Sequence, residues 1–302
     1  ALSEVLGELP PPVAADLAET PDVRRTPEVV QLAASLGNDP LLLYNYVHDT
    51  LDSEVYYGSR KGSEGARLTG AGNDFDLSSL LVALLRASNI PARYEYGTVA
   101  LTPDQAMAWV GAQTPEAAAS FFASAGFPGR VRYDAAGRLT EVQIEHVWVR
   151  AYVRYGRYRG PSYSTAEQLW VRLDPTLKVY AIQNGVDLRG AVHFDRAGYL
   201  SLLQRDMPLQ VFEAQLRAHI LAAGIPCETL DRATVKRTLL QEHSEILPGD
   251  LAARLDSSLL VFADVPAAMR HRVRYEIGGF THRLDLPSIF GKQVELRHPG
   301  AT

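Results

Sequence analysis

An apolar run within Gly72–Gly97 is the strongest hydrophobic pattern in the chain. Five leucines recur in it at helical spacing, with Val82 and Ala83 between them: Leu77, Leu80, Leu81, Leu84 and Leu85. This pattern predicts a helix that is apolar on nearly every side and is therefore buried at the centre of the fold. Asn73 or Asp74 can cap its first free amides, and Pro91 prevents the helix from continuing.

Alternation of apolar and polar residues predicts a set of strands after this helix. They cover Arg93–Leu101, Val131–Tyr133, Leu139–Ile144, His146–Tyr155 and Trp170–Leu173. The second and third of these form a hairpin over Asp134–Gly137. Because successive side chains of a strand point to opposite faces, His146 and Trp148 share one face of the sheet.

Four pairs of a capping residue and a proline mark further helix starts: Thr26-Pro27, Asp39-Pro40, Thr102-Pro103 and Thr114-Pro115. Asp52–Leu68 holds three glycines and is predicted to be a loop that leads to the central helix. Near the C-terminus, Pro208–Ala223 has the spacing of an amphipathic helix, and Thr229–His243 is predicted to be another.

These patterns suggest three parts. Residues 1–25 are rich in Pro, Glu and Ala and are predicted to form an N-terminal arm, and residues 26–187 form the core. Residues 188–302 form a mostly helical accessory region, and we expect it to pack on the core because no clear linker precedes it.

Composition limits the classes of function. The chain has 302 residues, 46% of them hydrophobic and 22% charged, which is ordinary for a globular protein with a large core. A net charge of −5 without a basic block argues against nucleic-acid binding, and we expect no membrane span because no run reaches about 18 apolar residues. One cysteine excludes an internal disulfide framework and a cysteine-based zinc site. The chain starts with Ala and shows no leader pattern, so we expect a mature form or a piece of a longer polypeptide.

Three short sequence motifs, called landmarks here, occur one after another along the chain. Leu84-Leu85-Arg86 leads to Ile90-Pro91-Ala92-Arg93, His146-Val147-Trp148-Val149 comes later, and Asp174-Pro175-Thr176 follows the Trp170 strand. Together they resemble the transglutaminase-like superfamily, which has a papain-like cysteine-enzyme fold. The resemblance implies an α+β fold, with a buried central helix packed against an antiparallel sheet.

The resemblance also implies a site. In the family a nucleophilic Cys begins the central helix, a His begins a strand, and an Asp orients that His. Here His146 and Asp174 match the last two, but Asp74 stands where the Cys belongs. The only cysteine, Cys227, comes after all the landmarks, so the family's thiol route is not available.

A wider resemblance concerns the context of the chain. Asp39-Pro40, Tyr57-Gly58-Ser59, Leu247-Pro248 and Arg270–Arg274 look like parts of transglutaminase-like segments in very large bacterial secreted proteins, often those with RHS/YD repeats. This implies a secreted, periplasmic or cell-surface location within a larger polypeptide.

The first functional hypothesis is an enzyme without a thiol. Asp74 would act as nucleophile or general base, His146 and Asp174 would handle protons, and Asp76 or Glu145 would assist. Paired carboxylates are the machinery of glycoside hydrolysis, so we expect a glycan or other polymer as substrate, with hydrolysis or transglycosylation as the reaction. The residues assigned to substrate binding are Tyr56, Tyr57, Lys61 and Trp148. This hypothesis predicts a deep acidic pocket and a carboxyl of raised pKa.

The second hypothesis is a catalytically inactive binding or structural module of a large secreted protein. Asp74 and Asp76 would then cap the helix, His146 and Asp174 would be a remnant pair, and the aromatic residues would belong to the core. It predicts a closed cleft. A metal site of Asp74, Asp76 and His146 is a third alternative whose spacing is not diagnostic, and we expect neither a metal nor a cofactor.

Overall fold

The computed structural model describes residues 9–155, 168–184, 190, 192–202, 205–225, 235–277 and 279–293. The chain divides into two compact units, one formed by Ala1–Val179 with Leu240–Thr302 and the other by Tyr180–Leu239. The predicted arm, core and accessory boundaries remain a prediction.

The larger unit mixes helices and antiparallel strands. Up to residue 110 its elements are α1 (Pro27–Ser35), α2 (Pro40–Thr50), β1 (Asp52–Ser53), α3 (Gly62–Thr69), β2 (Ala71–Gly72), α4 (Asp74–Ala87), β3 (Ala92–Leu101) and α5 (Pro103–Val110). Then follow α6 (Pro115–Ser124), β4 (Gly129–Tyr133), β5 (Leu139–Val153) and β6 (Leu169–Leu173). All four helix starts predicted from cap–proline pairs are confirmed.

Helix α4 is the predicted central helix. Asn73 is its cap, because its side chain accepts a hydrogen bond from the Asp76 N–H at 2.9 Å. Every residue from Asp74 to Arg86 is buried, as the apolar run predicted. Asn89 adopts a left-handed conformation (φ 57°) just after the helix and ends it.

The main sheet has the order β4-β5-β3-β9, where β9 is Arg254–Phe262, and β6 pairs with the other part of β5. All its pairings are antiparallel, and Gly97 of β3 lies opposite His146 of β5. Strand β9 (Arg254–Phe262) comes from the C-terminal region and completes the sheet. A Cβ at Gly97 would lie 2.1 Å from the Ser257 carbonyl oxygen, so only glycine allows this close approach.

Two cores hold the unit together. The first packs α1, α2 and α4 against valines and other apolar residues of β3, β5 and β6. The second lies under α5 and α6, where Trp109, Phe122 and Phe127 meet Trp148 of β5. The described part of the arm also contacts the core, since the Trp170 indole N–H donates to the Pro10 carbonyl at 3.1 Å.

Two predictions of local structure need correction. Asp52–Leu68 is not only a loop, because it contains most of α3. This short helix carries few apolar residues, so its sequence did not stand out, and its small residues Gly65 and Ala66 are buried in tight contacts. Thr229–His243 is not one helix, because it contains β8 (Val235–Leu239), whose pairing with another strand overrides local helix preference.

The smaller unit contains β7 (Tyr180–Asn184), α7 (Arg196–Ser201), α8 (Pro208–Ala222) and β8, with β7 and β8 antiparallel. Helix α8 confirms the amphipathic helix predicted there. The chain then returns to the larger unit with β9, β10 (Arg272–Ile277), β11 (Phe280–Asp285) and α9 (Leu286–Ile289). The described residues beyond 188 therefore contain strands as well as the predicted helices. No helix in the described ranges is long and apolar enough to cross a membrane.

Candidate functional site

His146 lies between two carboxylates at the meeting point of α4, β5 and the end of β6. Its Nδ1 is 2.9 Å from Asp74 Oδ2, and its Nε2 is 2.9 Å from Asp174 Oδ2. Asp74 and His146 are 0% exposed and Asp174 is 5% exposed, so water does not reach the centre of this cluster. The three residues named from the sequence as a possible triad are therefore brought together.

Backbone groups fix both carboxylates in place. Asp74 is the first residue of α4, and it accepts hydrogen bonds from the Val147 N–H at 3.2 Å and the Phe75 N–H at 3.0 Å. Asp174 follows β6, and its other oxygen accepts the Thr176 N–H at 2.9 Å in an Asx turn. Asp74 Oδ2, which also accepts the Val147 N–H, and Asp174 Oδ2 are the oxygens that face His146.

The charged states of the cluster depend on its internal ion pairs, which outweigh the effect of burial. Burial alone lowers the pKa of His146, but the two carboxylates outweigh it and raise the pKa to about 10. Burial alone raises the pKa of Asp174, yet the His146 charge and its hydrogen bonds hold that pKa below its usual value. At neutral pH His146 is therefore an imidazolium, and each of its two ring N–H groups donates to a carboxylate.

Aromatic rings cover the imidazole. The Trp109 ring meets His146 edge-on with centroids 5.1 Å apart, and the Trp148 ring is tilted at 6.0 Å. Trp148, assigned to substrate binding from the sequence, is fully buried, and its indole N–H donates to Glu95 Oε2 at 2.6 Å.

Asp76 belongs to a separate cluster. Its Oδ1 accepts the backbone N–H groups of Arg60, Lys61 and Gly62 at 3.1, 2.9 and 2.7 Å, and the Tyr56 hydroxyl donates to its Oδ2. Burial raises the pKa of Asp76 to about 6, although these hydrogen bonds oppose the shift. Tyr56 and Asp76 thus hold the loop before α3 against the start of α4.

The other candidate residues lie in two further groups. The Tyr57 and Tyr96 hydroxyls are 2.8 Å apart, and the Tyr96 hydroxyl donates to Glu145. Tyr57 and Glu145 are partly exposed. The Lys61 ammonium is 2.6 Å from Glu54 Oε2 and also donates to the Ala71 carbonyl, so its charge is already paired.

Residues 26–175 match the sequence model of the transglutaminase-like superfamily. This segment is a transglutaminase-like superfamily domain. Its fold is α+β with a papain-like core, in which the buried helix α4 packs against the antiparallel sheet. The landmarks of the resemblance all lie within or at the end of this range.

Two solved structures resemble the chain over part of its length. A putative cysteine protease from Cytophaga hutchinsonii is 15% identical, with 53% of this chain and 40% of that chain covered and a TM-score of 0.31. The periplasmic domain of TgpA from Pseudomonas aeruginosa, bound to ethylmercury, is 20% identical, with 53% and 47% covered and a TM-score of 0.29. The chain thus spans less than half the length of either structure. No curated protein matches it.

Sequence reasoning missed two features of the transglutaminase-like domain. Trp109 covers His146, but nothing in its local sequence marks that role. Glu95 is buried, and the Arg150 and Arg172 guanidinium groups both donate to it, at 2.5 and 3.1 Å for their Nε atoms. This second feature could have been found from the sequence. Glu95, Arg150 and Arg172 are opposite charges within otherwise apolar strands, and pairing of those strands brings them to one face of the sheet.

Within the described ranges, no group of three or more His, Cys, Asp or Glu side chains could hold a metal ion. Cys227 lies outside the described residues. The arrangement of the domain therefore offers a buried, charge-satisfied Asp–His–Asp cluster as its distinctive chemistry.

Proposed function

We propose that the transglutaminase-like domain is a catalytically inactive binding or structural module, in which Asp74, His146 and Asp174 stabilise the fold. One observation carries this proposal: both ring nitrogens of His146 are occupied by buried carboxylates. A general base needs a free nitrogen lone pair near neutral pH. An imidazolium with a pKa of about 10 has none.

The position of Asp74 supports the same conclusion. In the family that this domain resembles, a thiolate at the start of the central helix pairs with the imidazolium and attacks the substrate. A carboxylate at residue 74 retains the negative charge of that pair and is a poor nucleophile toward amides. Asp74 is also 0% exposed, whereas a nucleophile has to reach its substrate.

The alternative is a carboxylate enzyme that acts on a glycan. Asp76 favours it, because a pKa of about 6 suits a general acid. Against it, Asp76 is 0% exposed, and four hydrogen bonds from Tyr56 and residues 60–62 already occupy its oxygens. Glycoside hydrolysis further requires two carboxyl groups that flank an accessible bond.

Two measurements on the full chain test the proposal. The wild type and Asp74→Asn are incubated with a panel of glycans and peptides, and products are sought by mass spectrometry; we expect none from either. Nitrogen NMR of His146 should show two protonated ring nitrogens at pH 7 and titration near pH 10. Product from the wild type alone would overturn the proposal and favour the enzyme, as would a His146 that titrates near its ordinary pKa of 6.5.

The proposal includes the context inferred from the resemblance, a secreted or cell-surface bacterial polypeptide larger than this chain. Fractionation of native cells with an antibody against the domain tests this part. We expect a band larger than the 33.2 kDa of this chain in the medium, periplasm or surface fraction. A cytoplasmic band of 33.2 kDa would refute it.

A further inference from the structure

An open cavity of about 450 Å³ lies away from the His146 cluster, between the segment that precedes α1 and the end of α9. Arg24, Arg25 and Lys292 line it, together with a single acid, Glu19. Three cations against one carboxylate are unusual here, because the chain as a whole has a net charge of −5. The cavity is therefore a local positive site on an acidic protein.

Among the described residues, no carboxylate forms an ion pair with the cations of this cavity. Some other arginines of the larger unit have close carboxylate partners, as with Arg93 and Asp16 or Arg270 and Asp22, at 2.5 and 2.6 Å. Within the described ranges, the Arg24 and Arg25 side chains have no ion pair or hydrogen bond. Among the described residues, the hydrogen-bond acceptor of Lys292 Nζ is the Ser288 carbonyl at 2.8 Å, in the same part of the chain.

The one acid does not cancel these charges. A Glu19 oxygen accepts the Arg25 backbone N–H at 2.5 Å, and among the described residues Glu19 forms no ion pair. The Thr20 hydroxyl also lines the cavity, and it accepts the Val23 N–H at 3.1 Å while its own proton remains available to donate. The cavity thus presents the Arg24, Arg25 and Thr20 side chains as donors to a ligand.

The segment that carries the two arginines is held in place. The Arg24 N–H donates to Ser63 Oγ at 2.9 Å, and the Ser63 N–H donates back to the Asp22 carbonyl at 2.8 Å. Asp22 is fully buried. A fixed backbone lowers the entropy that binding has to overcome. The start of α1 adds little, because Pro27 has no N–H and Thr26 already caps Val29.

We propose that this cavity binds the oxyanion group, a phosphate or a carboxylate, of a small ligand. Guanidinium groups form paired hydrogen bonds with both oxyanions, and two unpaired arginines on one fixed segment can engage the same group. A volume of about 450 Å³ lies within the range of small-molecule sites. The site stands on residues other than the His146 cluster, so it does not depend on whether the domain is catalytic.

Titration of the full chain with defined probes tests the site. Inorganic phosphate represents a phosphate source, D-galacturonate a carboxylate source, and D-galactose is the neutral control. Backbone and side-chain NMR signals of Arg24 and Arg25 should shift saturably with at least one anion and not with galactose. The preferred anion then identifies the class of ligand. Absence of a saturable shift with both anions would overturn the proposal.

Variants separate a specific site from general charge attraction. Arg24→Gln combined with Arg25→Gln should weaken binding about tenfold or more, because each lost charge-assisted hydrogen bond has a large effect. Arg205→Gln removes one positive charge from an exposed residue of the smaller unit and should leave affinity unchanged. Equal effects of the two changes would show non-specific attraction and refute the site. Unchanged thermal unfolding of each variant verifies that folding is not the cause.

Discussion

Asp74→Asn tests the buried cluster of Asp74, His146 and Asp174 most directly. The change preserves the size of the side chain and removes one negative charge from a place shielded from water. His146 then keeps a single carboxylate partner, Asp174, at 2.9 Å. Since a hydrogen bond to a charged group contributes about 1.5–3 kcal/mol, we expect the free energy of unfolding at pH 7 to fall by about 2 kcal/mol.

The pH dependence of this loss has a definite sign. The pKa of His146 rises from 6.5 to about 10 on folding, so the folded state holds the proton more tightly than the unfolded chain does. The resulting stabilisation is complete below pH 6.5 and is lost as the pH rises through about 10, and a shift of this size corresponds to about 5 kcal/mol. Without the Asp74 charge the pKa of His146 is lower, so the loss begins at a lower pH.

A buried lysine acts in the opposite direction. Burial lowers the pKa of Lys178 from 10.5 to about 7, although the charges of Asp174, Asp49 and Asp52 oppose the shift. The unfolded chain then holds this proton more tightly, so the contribution of Lys178 to stability rises between pH 7 and 10.5. A pH profile of the wild type alone mixes the two effects. The difference between wild type and Asp74→Asn isolates His146.

Guanidinium unfolding followed by tryptophan fluorescence is the suitable assay. All three tryptophans lie in the larger unit, and Trp109 and Trp148 lie beside His146. Asp195→Asn is the matched control, because it makes the same change at an exposed helix cap where Asn serves as well as Asp. If Asp74→Asn differs from wild type by less than about 0.5 kcal/mol at pH 7, 8 and 9, the charge argument is wrong.

Three further changes test the surroundings of the cluster. Trp109→Ala should lower the free energy of unfolding, measured by denaturant titration, by about 3–5 kcal/mol. It should also speed exchange of the His146 ring protons, measured by NMR, and slow exchange would contradict the covering role. Gly97→Ala should weaken pairing of β9 with β3, because the added Cβ would lie 2.1 Å from the Ser257 oxygen. Hydrogen exchange of the β9 amides checks this against Gly137→Ala, which strains a turn (φ 77°) but places its Cβ against no neighbouring atom, so β9 exchange should stay unchanged there. Lys178→Met removes the titration that opposes that of His146, so the stability of this variant should fall more steeply than that of the wild type between pH 7 and 10. Parallel profiles would refute the assignment of the lysine effect to Lys178.

The sequence was most informative where a pattern has a local physical cause. The apolar run of α4 can only be satisfied by burial on all sides, and cap–proline pairs suit helix starts wherever they occur. Helix α3 was missed because its sequence is polar, has two glycines and few apolar residues, and the tight tertiary contact at Gly65 has no local sequence signal. Strand β9 was missed because its place in the sheet depends on Gly97, far away in the chain.

The Asp74–His146–Asp174 cluster could be predicted from the sequence, but its accessibility could not. The order of the landmarks indicated that Asp74, His146 and Asp174 would meet, and the distances of 2.9 Å agree. Whether a substrate can reach them depends on Trp109, whose position results from the packing of α5 and α6 on β5. No local pattern encodes that packing.

The charge balance links stability to the proposed inactivity. Two carboxylates around one imidazolium leave one net negative charge in the interior, and the N-terminal end of α4 favours that charge at Asp74. Backbone N–H groups of Phe75 and Val147 satisfy the other Asp74 hydrogen bonds. Because the Asp74 carboxylate is already stabilised by these contacts, breaking them to attack a substrate would be unfavourable. Under the proposed inactivity, the interactions that stabilise Asp74 are also the ones that keep it from attacking a substrate, and a variant that lost stability together with a measurable activity would contradict this argument.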